Sequence, residues 1–284
     1  MKKRKKAGWL FVLPSFCGVA GFYLIPFGDV VRRSFLNAAG SGFAGLENYR
    51  QVLGNQAFRL AAGNTAKFVL VCLPLLLALS LGIAVLLQGR YGELSNSSGK
   101  SLLKSAYLVP LAIPAASVVL LWNVVFDNAG LLNGLLSLFH LKGRNWMETD
   151  AAFGVLVFSY IWKNLGYDVI LWLAGLQGIS KSIYEAARVD GAGAWKCFIY
   201  ITLPNLRPVA FTIVILSFLN SFKVFREAYL VAGSYPQERI YLLQHVFNNW
   251  FGELSVDKMA AGSVLLCTVL IVFVLMLQRS WERD

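Results

Sequence analysis

The sequence predicts an all-α polytopic membrane protein with six transmembrane helices, and three observations carry that expectation. Of 284 residues, 57% are hydrophobic and only 14% are charged, whereas a soluble domain carries about a quarter charged residues. The apolar residues come in long blocks, several approaching the roughly 20 residues that cross a bilayer core of about 30 Å. The blocks also lack the two-residue alternation of a membrane barrel, so backbone groups inside lipid must be satisfied within helices.

The spans expected in chain order are residues 9–31, 65–87, 105–126, 151–173, 207–230 and 259–277. The first begins after Lys2, Lys3, Arg4, Lys5 and Lys6. A basic run directly before an apolar block suits anchoring at anionic lipid rather than nucleic-acid binding. Trp9–Ile25 has no small-residue cleavage site and is followed by Pro26, so a retained helix fits better than a cleaved signal. Pro14, Pro74, Pro110 and Pro114 fall inside spans, where neighbouring helices or water can re-satisfy the carbonyls that a kink frees. An even number of spans puts both termini on one side, and the heavier loading of Lys and Arg on that side places it in the cytoplasm.

Two of the external connections look structured. Residues 43–64 read as short amphipathic helices, and 127–150 sets Gly130, Asn133 and Trp146 among apolar residues. Either could form a cap or a docking face, or lie at headgroup level. Cys17, Cys72 and Cys267 fall in apolar blocks and Cys197 in an internal segment, so no disulfide framework or metal site is implied. His140 and His245 are far apart and read as loop residues without special chemistry. No G-x-x-x-x-G-K-[ST] loop, metal-ligand cluster or nucleophile with a nearby base is present, so no catalytic residue is expected here.

The internal segment 180–204 is not polar enough for a free loop. Ser180 or Ser182 can cap a short helix with Glu185 in its first turns. Gly191 and Gly193 supply a break, a second helix is expected over Ala194–Ile201, and Pro204 is expected to end it. The pattern Glu185-Ala186-Ala187, three residues, Gly191, nine residues, Ile201, one residue, Leu203-Pro204 resembles the signature loop of permease subunits in bacterial binding-protein-dependent ABC importers. Asp190-Gly191-Ala192 and Ile201-Thr202-Leu203-Pro204 resemble the sugar-importer branch. The opening WLFVLPSFCGVAGFYLIPF, the external Gly45-Leu46-Glu47-Asn48-Tyr49 and Asn64-Thr65-Ala66-Lys67-Phe68 are similar to the larger, maltose-type subunit.

The resemblance implies a multi-pass protein of the bacterial inner or plasma membrane, paired with a second permease, two ATP-binding-cassette ATPases and an extracellular or periplasmic solute-binding protein. It implies that 180–204 is the coupling helix seated on an ATPase, with Glu185, Ala186, Ala187, Asp190, Gly191, Ala192, Ile201, Leu203 and Pro204 at the dock. ATP and Mg would be bound by that partner, leaving no cofactor in this chain.

Polar groups inside spans are costly and mark candidate solute contacts. One cluster is Trp162, Lys163, Asn164, Leu165, Gly166 and Asp168; the other is Ser217, Asn220, Ser221 and Lys223, followed by Arg226 and Glu227. Asn, Ser and Trp suit a carbohydrate through hydrogen bonds and ring stacking. Leu165-Gly166, Ser217 and Ser221 resemble positions near the solute in maltose-type importers. Lys163 and Asp168 depart from that pattern, and two readings stand. They contact an acidic or phosphorylated solute, or they serve structural pairing or contact with the second permease; Lys163 and Asp168, five apart, are poorly placed on one helix face, whereas Lys223 and Glu227 have the i,i+4 spacing. The expected function is ATP-driven carbohydrate import by alternating access. Carriage of glycerol phosphate or another anionic solute, and self-sufficient secondary transport, are the alternatives.

Overall fold

The computed structural model describes residues 2–93 and 108–282, a run of helices with one isolated bridge, Leu36 to Phe43. Lys100, Lys104, Arg283, the first residues of the expected third span and the side chains of Lys2–Lys6, Arg90 and Glu227 lie outside what is described. The chain divides into two units, Met1–Arg59 with Val246–Asp284, and Leu60–His245.

In the first unit, α1 (Lys2–Val19) passes through a π-turn (Ala20–Leu24) into α2 (Ile25–Arg33). The wide turn has a cause in the sequence. Pro26 stands at the start of α2; its ring would strike the carbonyl four residues back, and a π-turn shifts that carbonyl by letting Ile25 N–H reach Ala20 O instead. Phe11 (86% exposed), Phe16, Phe22 and Ile25 point outward, as lipid permits. α3 (Glu47–Gly54) follows, and α14 (Val256–Glu282) packs against α2 and α3. Asn48, buried in α3, donates to the carbonyls of Ser34 at 3.0 Å and Leu36 at 2.7 Å, while Tyr49 and Ser34 share a 2.6 Å hydroxyl contact. Gly45 before them holds φ +59°, so the Gly45–Tyr49 motif is a staple closing the chain after α2.

The second unit is arranged around α8 (Ala152–Gln177). α4 (Gln56–Glu93) runs 38 residues, about 57 Å at 1.5 Å per residue, longer than the hydrocarbon core. It absorbs residues 56–64, so of the amphipathic helices expected over 43–64 only α3 is separate. Asn64 donates to Glu238 O and Tyr241 O, and the Thr65 hydroxyl accepts from Leu243 N–H at 3.0 Å. Like Gly45–Tyr49, the Asn64–Phe68 motif therefore fastens structure.

The third expected span does not form one helix. A helical segment over 108–112 (α5) stops before Pro114, whose extended ψ of 145° makes it the N-cap of α6 (Ala115–Phe126). α7 (Leu131–Leu138) follows a turn at Gly130, where a Cβ would sit 2.8 Å from Val125 O. Buried Asn133 gathers the segment. Its amide donates to Asp127, Asn128 and Arg144 carbonyls, and its oxygen accepts from Trp146 Nε1 at 2.9 Å.

Beyond α8 come α9 (Lys181–Val189), α10 (Ala194–Cys197), a π-turn (Phe198–Thr202), α11 (Leu203–Ser221), a 3₁₀ turn (Phe222–Val224) and α12 (Phe225–Ala232). The fifth span thus starts before residue 207 and is interrupted at 222–224. Pro204 does not end a helix; it sits in the first turn of α11, and the π-turn makes room for its ring as the earlier one does for Pro26, with Leu203 N–H bonded to Phe198 O. α13 (Leu243–Gly252) then leads to α14. His245 in α13 is fully buried rather than a loop residue. Its Nδ1 accepts from Leu242 N–H at 3.0 Å, its ring meets Phe225 edge-on at 4.8 Å, and Nε2 has no partner among the described residues. Burial lowers its pKa from 6.5 to about 4.

Among the described residues, five helical runs are long and apolar enough to cross a membrane: Phe11–Arg33, Gln56–Gln88, Ala116–Leu138, Ala194–Val224 and Val256–Trp281. α8 is long enough, at 26 residues, but Lys163, Asn164 and Asp168 lower its hydropathy. It nevertheless contributes to three hydrophobic clusters, reaching Phe68, Cys72 and Leu76 of α4, Val118 and Trp122 of α6, and Leu206 and Ile213 of α11.

Candidate functional site

Two regions hold the residues singled out by the sequence. The first is the seam between α8 and α11 and the cavity beside it. Gly175 lets the helices touch: a Cβ there would lie 2.9 Å from Val209 Cγ2 and 3.0 Å from Leu206 Cδ2. Further along, the Ser217 hydroxyl donates to Asp168 Oδ2 at 2.8 Å, and Tyr160 Oη donates to Ser217 O at 2.8 Å. Asp168 and Ser217 are each 1% exposed. An unpaired polar group there would cost several kcal/mol in hydrocarbon, so this closed set locks the register of the two helices. Trp172 Nε1 adds a 3.0 Å bond to the buried Ser80 hydroxyl of α4.

The cavity opens at this seam with a volume of about 150 Å³. Lys163 and Asn164 line it from α8, joined by Ser159 and Tyr160 one turn earlier. Asn220, Lys223, Val224 and Arg226 come from the end of α11 and the interrupted stretch after it, and Leu111 closes one side. Lys223 Nζ donates to Asn220 Oδ1 at 2.7 Å, and Asn164 donates to Tyr160 O at 2.9 Å.

The structure therefore splits the candidate path residues. Lys163, Asn164, Asn220 and Lys223 meet at the cavity. Trp162 packs edge-on to Trp122 at 5.1 Å, Leu165 sits against the core, Gly166 is buried, and Ser221 bonds back to Phe218 O at 2.6 Å. Asp168 faces α11 rather than sharing the cavity with Lys163. The lining residues Ser159 and Tyr160 escaped the sequence reading, although each lies four residues before a polar candidate, the spacing of one helical face.

The second region is the α9–α10 hairpin. Gly191 holds φ +79°, a conformation that strains residues with a Cβ. Ala192 N–H bonds to Ala187 O at 2.8 Å and Gly191 N–H to Arg188 O at 3.0 Å, the Schellman pair that satisfies the last carbonyls of a helix. Gly193 has φ −71° and serves as N-cap of α10. Ser180 occupies the N-cap position of α9, but its hydroxyl contacts Ser182 rather than a backbone amide. Tyr184 ties the hairpin to Thr202 by a 2.9 Å hydroxyl bond. No residue of α9 is buried: Glu185, Ala186 and Asp190 are exposed, Ala187 and Ala192 partly so, and Val189 is 87% and Trp195 72% exposed. Ile201, Leu203 and Pro204 lie where the hairpin enters α11.

The chain is 32% identical over 240 residues to the trehalose/maltose transport system permease protein MalF of Thermococcus litoralis, covering 82% of this chain and 79% of that one. It is 29% identical to the arabinooligosaccharides permease AraP of Bacillus subtilis over 98% of this chain and 89% of that one. Against the sn-glycerol-3-phosphate permease UgpA of Yersinia pestis, identity is 28%, with coverage of 97% and 94%. Among solved structures, a chain of a bacterial ABC transporter that imports the acidic polysaccharide alginate has the same fold, with TM-score 0.84 at 20% identity and coverage of 99% and 96%. Residues 80–283 match the binding-protein-dependent transport system inner membrane components, and this multi-pass chain belongs to that family of ABC importer permeases.

Proposed function

We propose that this permease moves a carbohydrate across the membrane by alternating access, driven by ATPase subunits that bind its α9–α10 hairpin. The observation that carries the reading is the hairpin itself. It is a helix without a single buried residue, ended by a fixed glycine turn and tied to α11 through Tyr184 and Thr202. Exposed Val189 and Ile183 on so short an element suit a partner that covers them. The continuous helical run from α10 into α11 would carry a displacement at the hairpin toward the cavity.

In this reading both termini are cytoplasmic, a second permease completes the path, and a solute-binding protein delivers the cargo outside. ATP and Mg stay on the ATPases, and this chain supplies no catalytic group. A carbohydrate fits the oligosaccharide relatives and the amides Asn164 and Asn220 at the cavity.

The test is purification of the tagged chain in mild detergent, wild type beside Gly191→Pro. Recovery of a second permease and an ATPase, with only the ATPase lost in the variant, supports the proposal. A lone oligomer that transports in liposomes without ATP replaces it with secondary transport.

A further inference from the structure

At the end of α8 opposite the hairpin, the second unit holds a wider cavity, separate from the seam. Its volume of about 740 Å³ lies within the range of small-molecule pockets and equals roughly 25 waters at liquid density. Three stretches of chain wall it: the end of α6 with the turn after it, the run 145–148 before α8, and Tyr235–Gln237 after α12. Each wall is fixed to another. Buried Asn133 donates to the Asp127, Asn128 and Arg144 carbonyls, joining the first wall to the second. The Arg144 guanidinium lies 4.0 Å from the centre of the Trp146 ring, and the Asn145 side-chain oxygen accepts from the Met147 and Glu148 amides. Arg239, just past the third wall, pairs with Asp150, just past the second, at 2.9 Å. Walls ordered in advance lose little freedom when a ligand enters.

The lining mixes donors with acceptors. Asn123, Asn128 and Gln237 bring amides, Tyr235 a hydroxyl, and Asp127 and Glu148 carboxylate oxygens. Among the described residues, the side chains of Asn123, Asn128 and Tyr235 hold no hydrogen bond. A sugar hydroxyl is at once donor and acceptor, so a polyol can use both halves of this set. The Tyr235 ring, 73% exposed, offers an amphipathic face at the rim. Two carboxylates and no cationic side chain stand among the described lining residues, so an acidic sugar meets repulsion there. A metal ion fits less well: Glu148 already accepts from the Asn145 amide, and the described residues contain no group of three or more metal-ligating side chains. We infer that this cavity is a second carbohydrate site, which holds a neutral sugar unit at the mouth of the protein, apart from the seam. The inference rests on the carbohydrate-importer reading, which puts this end of α8 outside the cell, and it gives an arriving oligosaccharide a contact ahead of the membrane.

The test is a titration of the assembled importer, this chain with its second permease and ATPases in nanodiscs, with maltotriose and, as acidic control, trigalacturonate. Maltotriose should bind about tenfold or more tightly than trigalacturonate. Asn123→Ala and Gln237→Ala, on two different walls, should each weaken maltotriose about fivefold, the worth of one hydrogen bond. Tyr235→Ala should cost about as much through the lost ring face, and its exposed position keeps that variant folded. Asp127→Asn should strengthen trigalacturonate about fivefold. Melting temperatures matching the wild type separate lost binding from misfolding. Equal or tighter binding of trigalacturonate, or maltotriose binding indifferent to all three alanine substitutions, overturns the inference while leaving an ATP-hydrolysing importer intact. Loss of the solute-binding protein from these variants with maltotriose affinity unchanged overturns it in favour of a protein-docking face. Failure of any ATPase to assemble with the wild-type chain removes the importer reading, and this inference with it.

Discussion

α8 and the α9–α10 hairpin are consecutive in the chain and handle polarity in opposite ways. α8 turns Tyr160, Asp168 and Trp172 inward, where each finds a hydrogen-bond partner on another helix or next to one. α9 turns Val189 and Ile183 outward and buries nothing. In lipid the protein interior is where polar groups can be satisfied, so a polar, buried helix belongs to the scaffold of a membrane protein. In water an apolar tip on a short helix points to a surface that another protein covers. Burial alone would rank α8 as the important element and α9 as a loop; solvent decides what burial means in each place.

The contrast predicts that changes in the seam act on stability and changes in the hairpin on coupling. Gly175→Leu should have the largest effect, because its side chain must displace Val209 and Leu206 between α8 and α11. A cost of about 3 kcal/mol is expected for such overpacking, read as loss of a monodisperse detergent peak; a variant with wild-type thermal stability would break the comparison.

His245, outside both regions, gives a pH-dependent reference. Its folded pKa of about 4 lies below the ordinary 6.5, so the folded state holds fewer protons than the unfolded one between those values. Stability is full above about pH 6.5 and falls as pH drops toward 4, by up to about 3 kcal/mol at 1.36 kcal/mol per unit. Thermal melts from pH 7 to 4.5 should show the decline, and His245→Gln should flatten it.

Gly191→Pro forces φ from +79° toward about −65° and removes the amide bonded to Arg188. ATP-driven uptake should drop about 100-fold, equivalent to roughly 2.7 kcal/mol of coupling, with the melting temperature of the isolated chain little changed. A smaller version is Val189→Asp, expected to weaken ATPase association about tenfold with no change in melting, because nothing in the subunit touches that side chain enough to bury it. Tyr160→Phe is the smallest, about 1 kcal/mol for one buried hydrogen bond, and should leave ATPase binding intact.

The hairpin was legible in sequence because its determinants are local: a glycine needing positive φ and a fixed spacing to Pro204. Even so, Pro204 was misread as a stop, since a proline ends a helix only when the preceding turn cannot widen. α8 was legible as a long helix from its length and apolar content, although its polar middle keeps it from the set of helices apolar enough to cross a membrane. The Asp168–Ser217 bond was not, because the partners are 49 residues apart and nothing local distinguishes a buried aspartate from a ligand contact. Pro114 and the 222–224 turn broke spans that composition alone draws as continuous. Lys163, Asn164, Asn220 and Lys223 were found by their type, while Ser159 and Tyr160 were hidden because serine and tyrosine are ordinary on an apolar helix.

The polarity of α8 bears on how the chain enters the bilayer. Lys163 and Asp168 would each add about 2.5–3.5 kcal/mol to insertion near the centre of a lone helix, so α8 is a poor self-inserting segment. α4 and α6 emerge from the ribosome before it and offer Ser80 and an apolar wall, but the hydroxyl that receives Asp168 is made 49 residues later. Until α11 arrives, the carboxylate waits without that partner, so the hydrogen bonding of α8 is completed only after a later helix has been made.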